Sequence, residues 1–347
     1  MIEKVLTIVS GAPSGCLNVA MMLSDYFRQF YDSDVILRKY NKAGIKNAIV
    51  VKDFFALDYI WRLYKQLNIT KPSVIIVHGY STHLWTKISA KLRNIPLIHV
   101  EHNVEKYTSF RRWLLQWTDQ YTLSYICVSQ GVAAHLIRQG ADEKKIIVIY
   151  NGIDIEKFSI QKEPQGLYTV GMVARFVKQK DQMTLIKAME YIINVKKLPM
   201  QLIFQGDGKK KSNCVDYVRK HNLQQEIKFE TGKFVELAPK LDLFVLATHY
   251  EGFGLVICEA MAAKIPTIGT NVPGVDEIIK HGIDGYLVSH EDYIKLAEQI
   301  EFCFLNKNTQ VINNVIDHAF SKVNEQFSIE KMCQEYKKSI EEYITKL

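Results

Sequence analysis

The chain has 347 residues, of which 48% are hydrophobic and 23% are charged, and its formal net charge is +7. This composition is ordinary for a globular protein with room for two domains, and it excludes a disordered or low-complexity chain. No apolar run approaches the length of a transmembrane helix. The six scattered cysteines contain no C-x-x-C pair, which predicts reduced core residues of a cytosolic protein and neither disulfides nor a zinc site.

Short apolar runs alternate with helix-length segments along the whole chain, which predicts α/β structure with parallel sheets covered by helices on both faces. In the first half, the runs that predict strands are 4–9, 34–38, 47–51, 73–78, 96–100, 125–128 and 146–149. In the second half they are 168–173, 201–205, 226–229, 242–246, 266–269 and 285–288.

Thirteen predicted strands are too many for one sheet, so we expect two Rossmann-like domains that face each other across a cleft. The polar, turn-rich stretch 151–166 predicts the boundary between a first domain at 1–160 and a second at 165–325. Apolar residues at helical spacing predict a C-terminal helix within 326–347, which we expect to pack back on the first domain. Ligands of such folds bind at the carboxyl ends of strands, here in the cleft.

The segment after the first predicted strand, Ser10–Gly15, is rich in glycine. Glycine allows a backbone to approach a phosphate or a sugar closely, but the spacing differs from the G-x-G-x-x-G pattern of dinucleotide-binding domains. His102 follows another predicted strand, at a position where an imidazole can contact substrate oxygens. A structural role is the alternative for His102, and it is the interpretation we favour for His78 and His99.

Residues 107–117 combine two arginines with apolar residues that share one helical face, Phe110, Trp113, Leu114 and Trp117. We favour a helix whose apolar face is buried in the protein. The alternative is an interfacial helix on an anionic membrane, which would place an otherwise cytoplasmic protein peripherally on the inner face of that membrane.

The first strand of the second domain is followed by a loop that carries two cations, Arg175 and Lys180, ahead of a predicted helix. Arginine suits a bidentate contact with phosphate, and lysine suits a point-charge contact. Solvated loop charges are the alternative interpretation.

The most informative stretch runs from Glu251 to Glu259 and places Gly252, Phe253 and Gly254 between a predicted strand and residues that favour a helix. A helix that starts behind a glycine turn directs free N–H groups and the positive end of its dipole at that turn, which favours a phosphate. If the helix starts near Gly254, the two carboxylates lie on the order of 10 Å apart. A phosphate site with an acid on either side suggests a nucleotide-sugar, with one acid for the sugar and one for the ribose.

The combination of these motifs resembles the retaining glycosyltransferases of the GT-B fold in glycosyltransferase family 4 (group 1). The stretch from Glu251 to Glu259 matches the E-x7-E motif of that family, and the stretch from Arg175 to Lys180 resembles its diphosphate-binding loop. The further stretches that resemble the family, mostly in the second domain, are 128–132, 149–158, 204–208, 272–279 and 282–288.

The resemblance implies a role for each candidate residue. Glu251 and His102 would act at the donor sugar, whereas Arg175 and Lys180 would neutralise the diphosphate. Asp181 stands where the family usually has glycine, and it adds a negative charge near the site. The other donor-binding residues, among which Glu259 would hold the ribose hydroxyls, are Gly11, Gly15, Gly252, Phe253, Gly254, Leu255 and Glu259.

The resemblance thus implies a hexosyltransferase that needs neither a metal nor another cofactor. It would move a sugar from a nucleotide-sugar, with UDP-sugar favoured, to a hydroxyl of a saccharide or lipid-linked saccharide acceptor in cell-surface polysaccharide synthesis. The alternatives are a phosphorylase or nucleotide-sugar epimerase on the same fold, and a nucleotide-binding protein or dinucleotide oxidoreductase. We predict no nucleic-acid partner, and no metal site at Asp32-Ser33-Asp34, because this motif precedes a strand and predicts a turn.

Overall fold

The computed structural model describes residues 2–12, 14–104, 107–163 and 166–345. They form two compact units, of which the first comprises the chain up to Gly152 and again from Ile329, and the second comprises Ile153–Ser328. Pro13 of the predicted glycine loop, and Pro164 and Gln165 of the predicted boundary stretch, lie outside the described residues, as do the outermost ends of the predicted domain ranges.

The first unit is built on a seven-stranded sheet in the order β3-β2-β1-β4-β5-β6-β7, and every neighbouring pair is parallel. Each strand lies within two residues of its predicted range, because an apolar run buried on both faces is a strong local signal. The residues predicted as a D-x-D turn instead open β2, where Lys4 pairs with Asp32 and Asp34. The strands are β1 (Lys4–Ser10), β2 (Asp32–Arg38), β3 (Ile49–Val51), β4 (Val74–His78), β5 (Leu97–Glu101), β6 (Ser124–Cys127) and β7 (Ile146–Val148).

Helices cover this sheet and begin behind residues that can cap them. The hydroxyls of Ser14, Thr108 and Ser129 each accept a hydrogen bond from an amide in the first turn of the helix that follows. The helices of the first unit that precede the second unit in the chain are α1 (Gly15–Phe27), α2 (Ala56–Thr70), α3 (Tyr80–Leu92), α4 (Ser109–Asp119) and α5 (Gln130–Arg138).

The second unit is built on a six-stranded parallel sheet in the order β10-β9-β8-β11-β12-β13. These strands also lie within two residues of their predicted ranges. They are β8 (Tyr168–Val173), β9 (Met200–Gln205), β10 (Ile227–Glu230), β11 (Leu243–Leu246), β12 (Thr267–Thr270) and β13 (Tyr286–Val288).

The strand order of the second unit fixes where its loops meet. The chain leaves β8 for β9 on one side and later returns to β11 on the other side, so the direction of winding reverses between β8 and β11. Loops that follow these two strands meet at the same edge of the sheet, which is where ligands of such folds bind. The helices are α6 (Gln182–Asn194), α7 (Lys211–Lys220), α8 (Phe234–Leu237), α9 (Leu255–Ala262), α10 (Tyr293–Leu305) and α11 (Gln310–Gln326).

The C-terminal helix α12 (Ile329–Thr345) belongs to the first unit, as the sequence predicts, and packs against α1. The phenol of Tyr31 donates a hydrogen bond of 2.6 Å to the Glu341 carboxylate of this helix. Its inward face matches the predicted apolar spacing and consists of Met332, Cys333, Tyr336 and Ile340. The first unit therefore depends on a segment that follows the whole second unit in the chain.

We predict that Ile340→Ala lowers the free energy of unfolding of the first unit by about 2–5 kcal/mol, because it leaves a cavity under a fully buried side chain. Hydrogen exchange would detect the loss as faster exchange in β1 and α1, while β8 and β11 keep their protection. The exposed Lys338 gives the matched control, and Lys338→Ala should change stability by less than about 0.5 kcal/mol. Faster exchange confined to the second unit would contradict this assignment of α12.

Candidate functional site

A tight glycine turn joins β11 to α9, which confirms the predicted order of strand, turn and helix. Gly254 precedes the first helical residue and has a φ of 97°, in the left-handed region that favours glycine. A Cβ at Gly274 would lie 2.9 Å from the Glu251 carbonyl oxygen, so this second glycine lets the loop after β12 pack against the turn. The amide of Ile257 already donates to the Gly254 carbonyl oxygen at 2.8 Å, and helix geometry directs the two amides before it, of Leu255 and Val256, toward the turn.

The loop after β8 carries Arg175 and is held in place by a second pair of glycines. A Cβ at Gly206 would lie 2.2 Å from the Ala174 carbonyl oxygen, and one at Gly208 would lie 2.4 Å from that of Phe176. The predicted G-x-G turn therefore supports the Arg175 loop by close backbone packing. The side chain of Arg175 is exposed, so its charge faces solvent at the ligand edge of the sheet.

An ion pair between Lys180 and Glu251 connects the two loops. Both side chains are largely buried, and polar contacts around them fix the loop backbones. The Thr248 hydroxyl lies 3.1 Å from the carbonyl oxygen of Gln179 and 3.0 Å from that of Tyr250, and its hydrogen can be donated to either. The sequence assigns Lys180 to phosphate and Glu251 to sugar, and it does not anticipate that the two side chains pair with each other.

Asp181, which the sequence places as an extra negative charge near the site, is the N-cap of α6. Its carboxylate accepts hydrogen bonds from the backbone amide of Thr184, at 3.3 Å, and from the hydroxyl of that residue, at 2.6 Å. This cap sets the start of α6 behind the Lys180 loop and gives the departure from the family pattern a structural reason.

Glu259 lies in the second turn of α9 and is half-buried. Burial raises the pKa of Glu259 to about 7, and no ion pair is recorded for its carboxylate within the described ranges. A carboxylate that is partly dehydrated and lacks a counter-ion is suited to accept hydrogen bonds from neutral hydroxyl groups.

The remaining predicted site residues, Gly11, Gly15 and His102, lie in the first unit. A Cβ at Gly11 would lie 1.5 Å from the Tyr40 carbonyl oxygen, so close packing within the unit by itself requires glycine there. Gly15 is the first residue of α1. His102 follows β5 and is buried, and its Nε2 lies 3.0 Å from Nδ1 of His78. Burial lowers the pKa of His102 to about 4, so the imidazole is neutral at pH 7.

The sequence does not reveal a buried cluster of polar side chains next to His102. The rings of His83 and His99 stack with their centroids 3.9 Å apart, and the Tyr107 hydroxyl donates to the Glu101 carboxylate at 3.0 Å. All four of these side chains are buried. The available signal was the presence of three polar residues, His99, Glu101 and His102, at the end of an otherwise apolar run.

The structure contradicts the interpretation we favoured for residues 107–117. The aromatic side chains Phe110, Trp113 and Trp117 of α4 are 59%, 56% and 43% exposed, so they do not form a buried face. Leu114, predicted on that same face, is buried. No helix in the described part of the chain has both the length and the apolar character to span a membrane. An exposed aromatic face is compatible with the interfacial alternative.

Two family models match the chain in succession. The model described as Glycosyltransferase Family 4 matches residues 24–157, and the model described as Glycosyl transferases group 1 matches residues 154–317. The chain belongs to this family of glycosyltransferases. The second match contains the glycine turn and both cations, so the family recognised from the motifs is confirmed.

Individual relatives agree with this assignment. The UDP-Gal:α-D-GlcNAc-diphosphoundecaprenol α-1,3-galactosyltransferase of Escherichia coli is 25% identical over 321 residues, or 84% of this chain and 80% of that protein. The capsular polysaccharide biosynthesis glycosyltransferase CapM of Staphylococcus aureus is 28% identical over 229 residues, which is 60% of this chain and 59% of that protein.

The predicted GT-B fold of the glycosyltransferase is confirmed by comparison with solved structures. HepE of Anabaena in complex with UDP superimposes with a TM-score of 0.88 at 18% identity, over 98% of this chain and 100% of that one. Because the two sequences are only 18% identical, this similarity is evidence for the fold alone.

The pKa of Glu259 predicts how this glycosyltransferase responds to pH. The unfolded chain loses the proton of this carboxyl near the ordinary value of 4.5, whereas the folded chain holds it until about pH 7. Stability therefore falls as pH rises through this window. We expect Glu259→Gln, which cannot ionise, to raise the free energy of unfolding by about 1–2 kcal/mol more at pH 8 than at pH 5.

Denaturant unfolding at the two pH values measures this difference. The exposed Glu298 gives a control, because Glu298→Gln removes the same charge from a solvated helix surface and should show no comparable dependence on pH. Equal stabilisation by Glu259→Gln at both pH values would contradict the desolvation of this carboxylate.

Proposed function

We propose that this glycosyltransferase moves a hexose from a UDP-sugar, with retention of configuration, to a hydroxyl of a lipid-linked saccharide in cell-surface polysaccharide synthesis. The observation that carries the donor part is the arrangement at the ligand edge of the second unit. There, the loop with Arg175, the Lys180–Glu251 pair and the start of α9 follow β8 and β11, whose carboxyl ends are neighbours.

Arg175 and the first amides of α9 bind the diphosphate in this proposal. The exposed guanidinium provides two parallel donors, and the helix start provides N–H groups and the positive end of a dipole. Together with Lys180, they stabilise the negative charge that develops on the leaving nucleoside diphosphate. This cationic environment supplies the role that a metal ion has in other transferases, so the reaction needs no metal.

Glu259 accepts hydrogen bonds from the ribose hydroxyls, which suits a half-buried carboxylate that has no ion pair with any residue the structure describes. Glu251 contacts the hydroxyls of the donor sugar, and these donors compensate its charge when Lys180 turns toward the diphosphate. His102 acts toward the transferred sugar as a neutral imidazole, because its pKa lies near 4.

The reaction proceeds by front-face attack. The acceptor oxygen forms a bond to the anomeric carbon while the bond from that carbon to the diphosphate oxygen breaks on the same face. The leaving phosphate oxygen takes the proton of the acceptor hydroxyl. This route retains the anomeric configuration without an enzymic nucleophile.

A panel of UDP-, GDP- and ADP-sugars, with and without diphosphoundecaprenol-linked saccharides, tests the proposal by nucleotide release and by the anomeric configuration of the product. We expect release from a UDP-sugar that depends on the acceptor, and Arg175→Ala should lower kcat by about 10²–10³-fold. Lys178, an exposed cation on the same loop, gives the matched control, and Lys178→Ala should retain most of the activity.

Near-normal transfer by Arg175→Ala, Lys180→Ala and Glu259→Gln would refute these roles. Isomerisation of a UDP-sugar without acceptor would identify an epimerase instead. Tight binding of NAD without binding of UDP would identify a dinucleotide-dependent enzyme.

A lipid-linked acceptor suits a protein that docks on an anionic membrane, and the exposed face of α4 supports such contact. Phe110, Trp113 and Trp117 lie in a row, with ring centroids 6.0 Å and 6.3 Å apart along it. The exposed Arg112 on the same helix provides a cation for lipid phosphates, and Lys91 lies over the ring of Tyr121 at the end of the row. Aromatic rings with flanking cations are typical of interfacial helices.

We expect the parent chain to sediment with vesicles that contain phosphatidylglycerol and to bind phosphatidylcholine vesicles more weakly. The double variant Trp113→Ala/Trp117→Ala should bind the anionic vesicles at least about tenfold more weakly, because two large apolar surfaces no longer enter the bilayer. Leu305→Ala removes an exposed apolar residue of the second unit and serves as the control. Equal binding by the parent and the double variant would exclude α4 as the membrane contact.

A further inference from the structure

Three side chains with metal-binding atoms converge at one edge of the first unit. Cys16 lies in the first turn of α1, which follows β1, His78 is the last residue of β4, and His102 follows β5. The strands β1, β4 and β5 are neighbours in the sheet, so their carboxyl ends lie side by side. One possible ligand atom of each side chain lies within 4.8 Å of those of the other two.

The contacts of the two imidazoles leave a polar atom without a partner. Nδ1 of His78 lies 3.0 Å from Nε2 of His102, so one of these nitrogens carries the shared hydrogen. The other ring nitrogen of His78, Nε2, is buried and has no recorded hydrogen-bond partner among the described residues. The candidate metal ligands are therefore the two facing nitrogens and the sulfur of Cys16, rather than this outer nitrogen.

The donor set selects the kind of metal. One sulfur and two imidazole nitrogens suit Zn²⁺, whereas Mg²⁺ and Ca²⁺ require oxygen ligands. With Zn–N and Zn–S bonds of about 2.0–2.3 Å, the ligand atoms of a tetrahedral site are roughly 3.3–3.6 Å apart, which small side-chain movements can reach from this arrangement. Three protein ligands leave a fourth position for water.

The surroundings also compensate the charge. The buried carboxylate of Glu101 accepts a hydrogen bond of 3.0 Å from the amide of His102, so an acidic group lies beside the cluster. Zn²⁺ with one thiolate has a single positive charge, which this carboxylate balances. A buried ion is stable only with such compensation.

We propose that Cys16, His78 and His102 form a Zn²⁺ site in the first unit, and that metal bound there competes with the action of His102 in sugar transfer. The binding part stands on the cluster, whereas the competition rests on the proposed function. On binding, the Cys16 thiol proton leaves to solvent as the Zn–S bond forms. The hydrogen shared by the two imidazoles moves to the far nitrogen of its own ring, so that both facing nitrogens bind the metal.

Metal titrations of the full, chelator-treated chain test the site. Competition with a chromophoric chelator should give one equivalent of tightly bound Zn²⁺, and Co²⁺ should show a thiolate-to-metal charge-transfer band. Cys16→Ser and His78→Gln should each weaken Zn²⁺ binding at least about tenfold, and Cys16→Ser should abolish the band. Circular dichroism checks that the variants are folded.

A second histidine cluster provides the matched control. His249, His290 and Glu291 in the second unit also bring possible ligand atoms within 4.8 Å of one another, but His290 and Glu291 are exposed. His290→Gln should retain the tight equivalent and the band. Loss of tight binding in His290→Gln, or full binding with an unchanged band in Cys16→Ser, would overturn the proposed site.

The competition is measured by adding one equivalent of Zn²⁺ to the metal-free protein. For each variant, the transfer rate with Zn²⁺ is divided by the rate without it. We expect this ratio to fall at least about tenfold in the parent chain, to recover with chelator, and to stay near one in Cys16→Ser. Stoichiometric binding without any effect on transfer would overturn the competition. If the metal-free protein transfers no sugar with any donor and acceptor in the panel, the proposed function is refuted instead. The titrations still decide whether the metal site exists.

Discussion

The ion pair between Lys180 and Glu251 connects the two loops on which the candidate site of the second unit depends. Lys180 arrives on the loop after β8 and Glu251 on the loop after β11, and the reversal of winding between those strands brings them together. Removing one partner of a largely buried pair typically costs about 3–5 kcal/mol, since the other charge is left uncompensated. A ligand that takes Lys180 must therefore also supply donors to Glu251. A nucleotide-sugar has both an anionic diphosphate and a sugar with hydroxyl groups, whereas the nucleotide alone has only the first.

A buried hydrogen-bonded network of the first unit lies by the amino end of β6, at the opposite edge of the sheet from the ligand edge. In the first unit the buried Lys87 donates a hydrogen bond of 3.1 Å to Tyr125, whose hydroxyl donates to Asp119 at 2.7 Å. Burial lowers the pKa of Lys87 to about 7. Hydrogen-bonded networks of this kind fix side-chain positions strongly when every member has a partner. This network thus connects α3 and the end of α4 to β6, whereas the second unit carries Arg175 and Lys180 on loops.

The sequence is sufficient to predict the strands of both sheets and the turn that precedes α9. The apolar runs locate every strand, and the spacing of Met332, Tyr336 and Ile340 locates the buried face of α12. The glycines that flank Phe253 locate the start of α9. These signals are local, because they depend on residues a few positions apart.

Contacts between distant residues were not predictable in the same way. Lys180 and Glu251 are 71 positions apart, and nothing in either neighbourhood indicates that they pair. The sequence also does not predict that Gly11 packs against Tyr40, because a glycine is equally suited to a ligand-binding loop and to a close backbone contact. Exposure of Trp113 and Trp117 depends on which side of α4 faces the sheet, and helical spacing alone leaves that choice open.

The return of α12 to the first unit has a consequence for the order in which the protein folds during synthesis. The amide of Ile153 donates a hydrogen bond of 2.8 Å to the Phe327 carbonyl oxygen, so the second unit begins and ends at adjacent points. A ribosome completes the whole second unit before it translates Ile329, the first residue of α12. Until then, the nascent first unit lacks one of its helices and exposes the apolar surface of α1 that this helix covers. The unit that is synthesised first is therefore the one that finishes folding last.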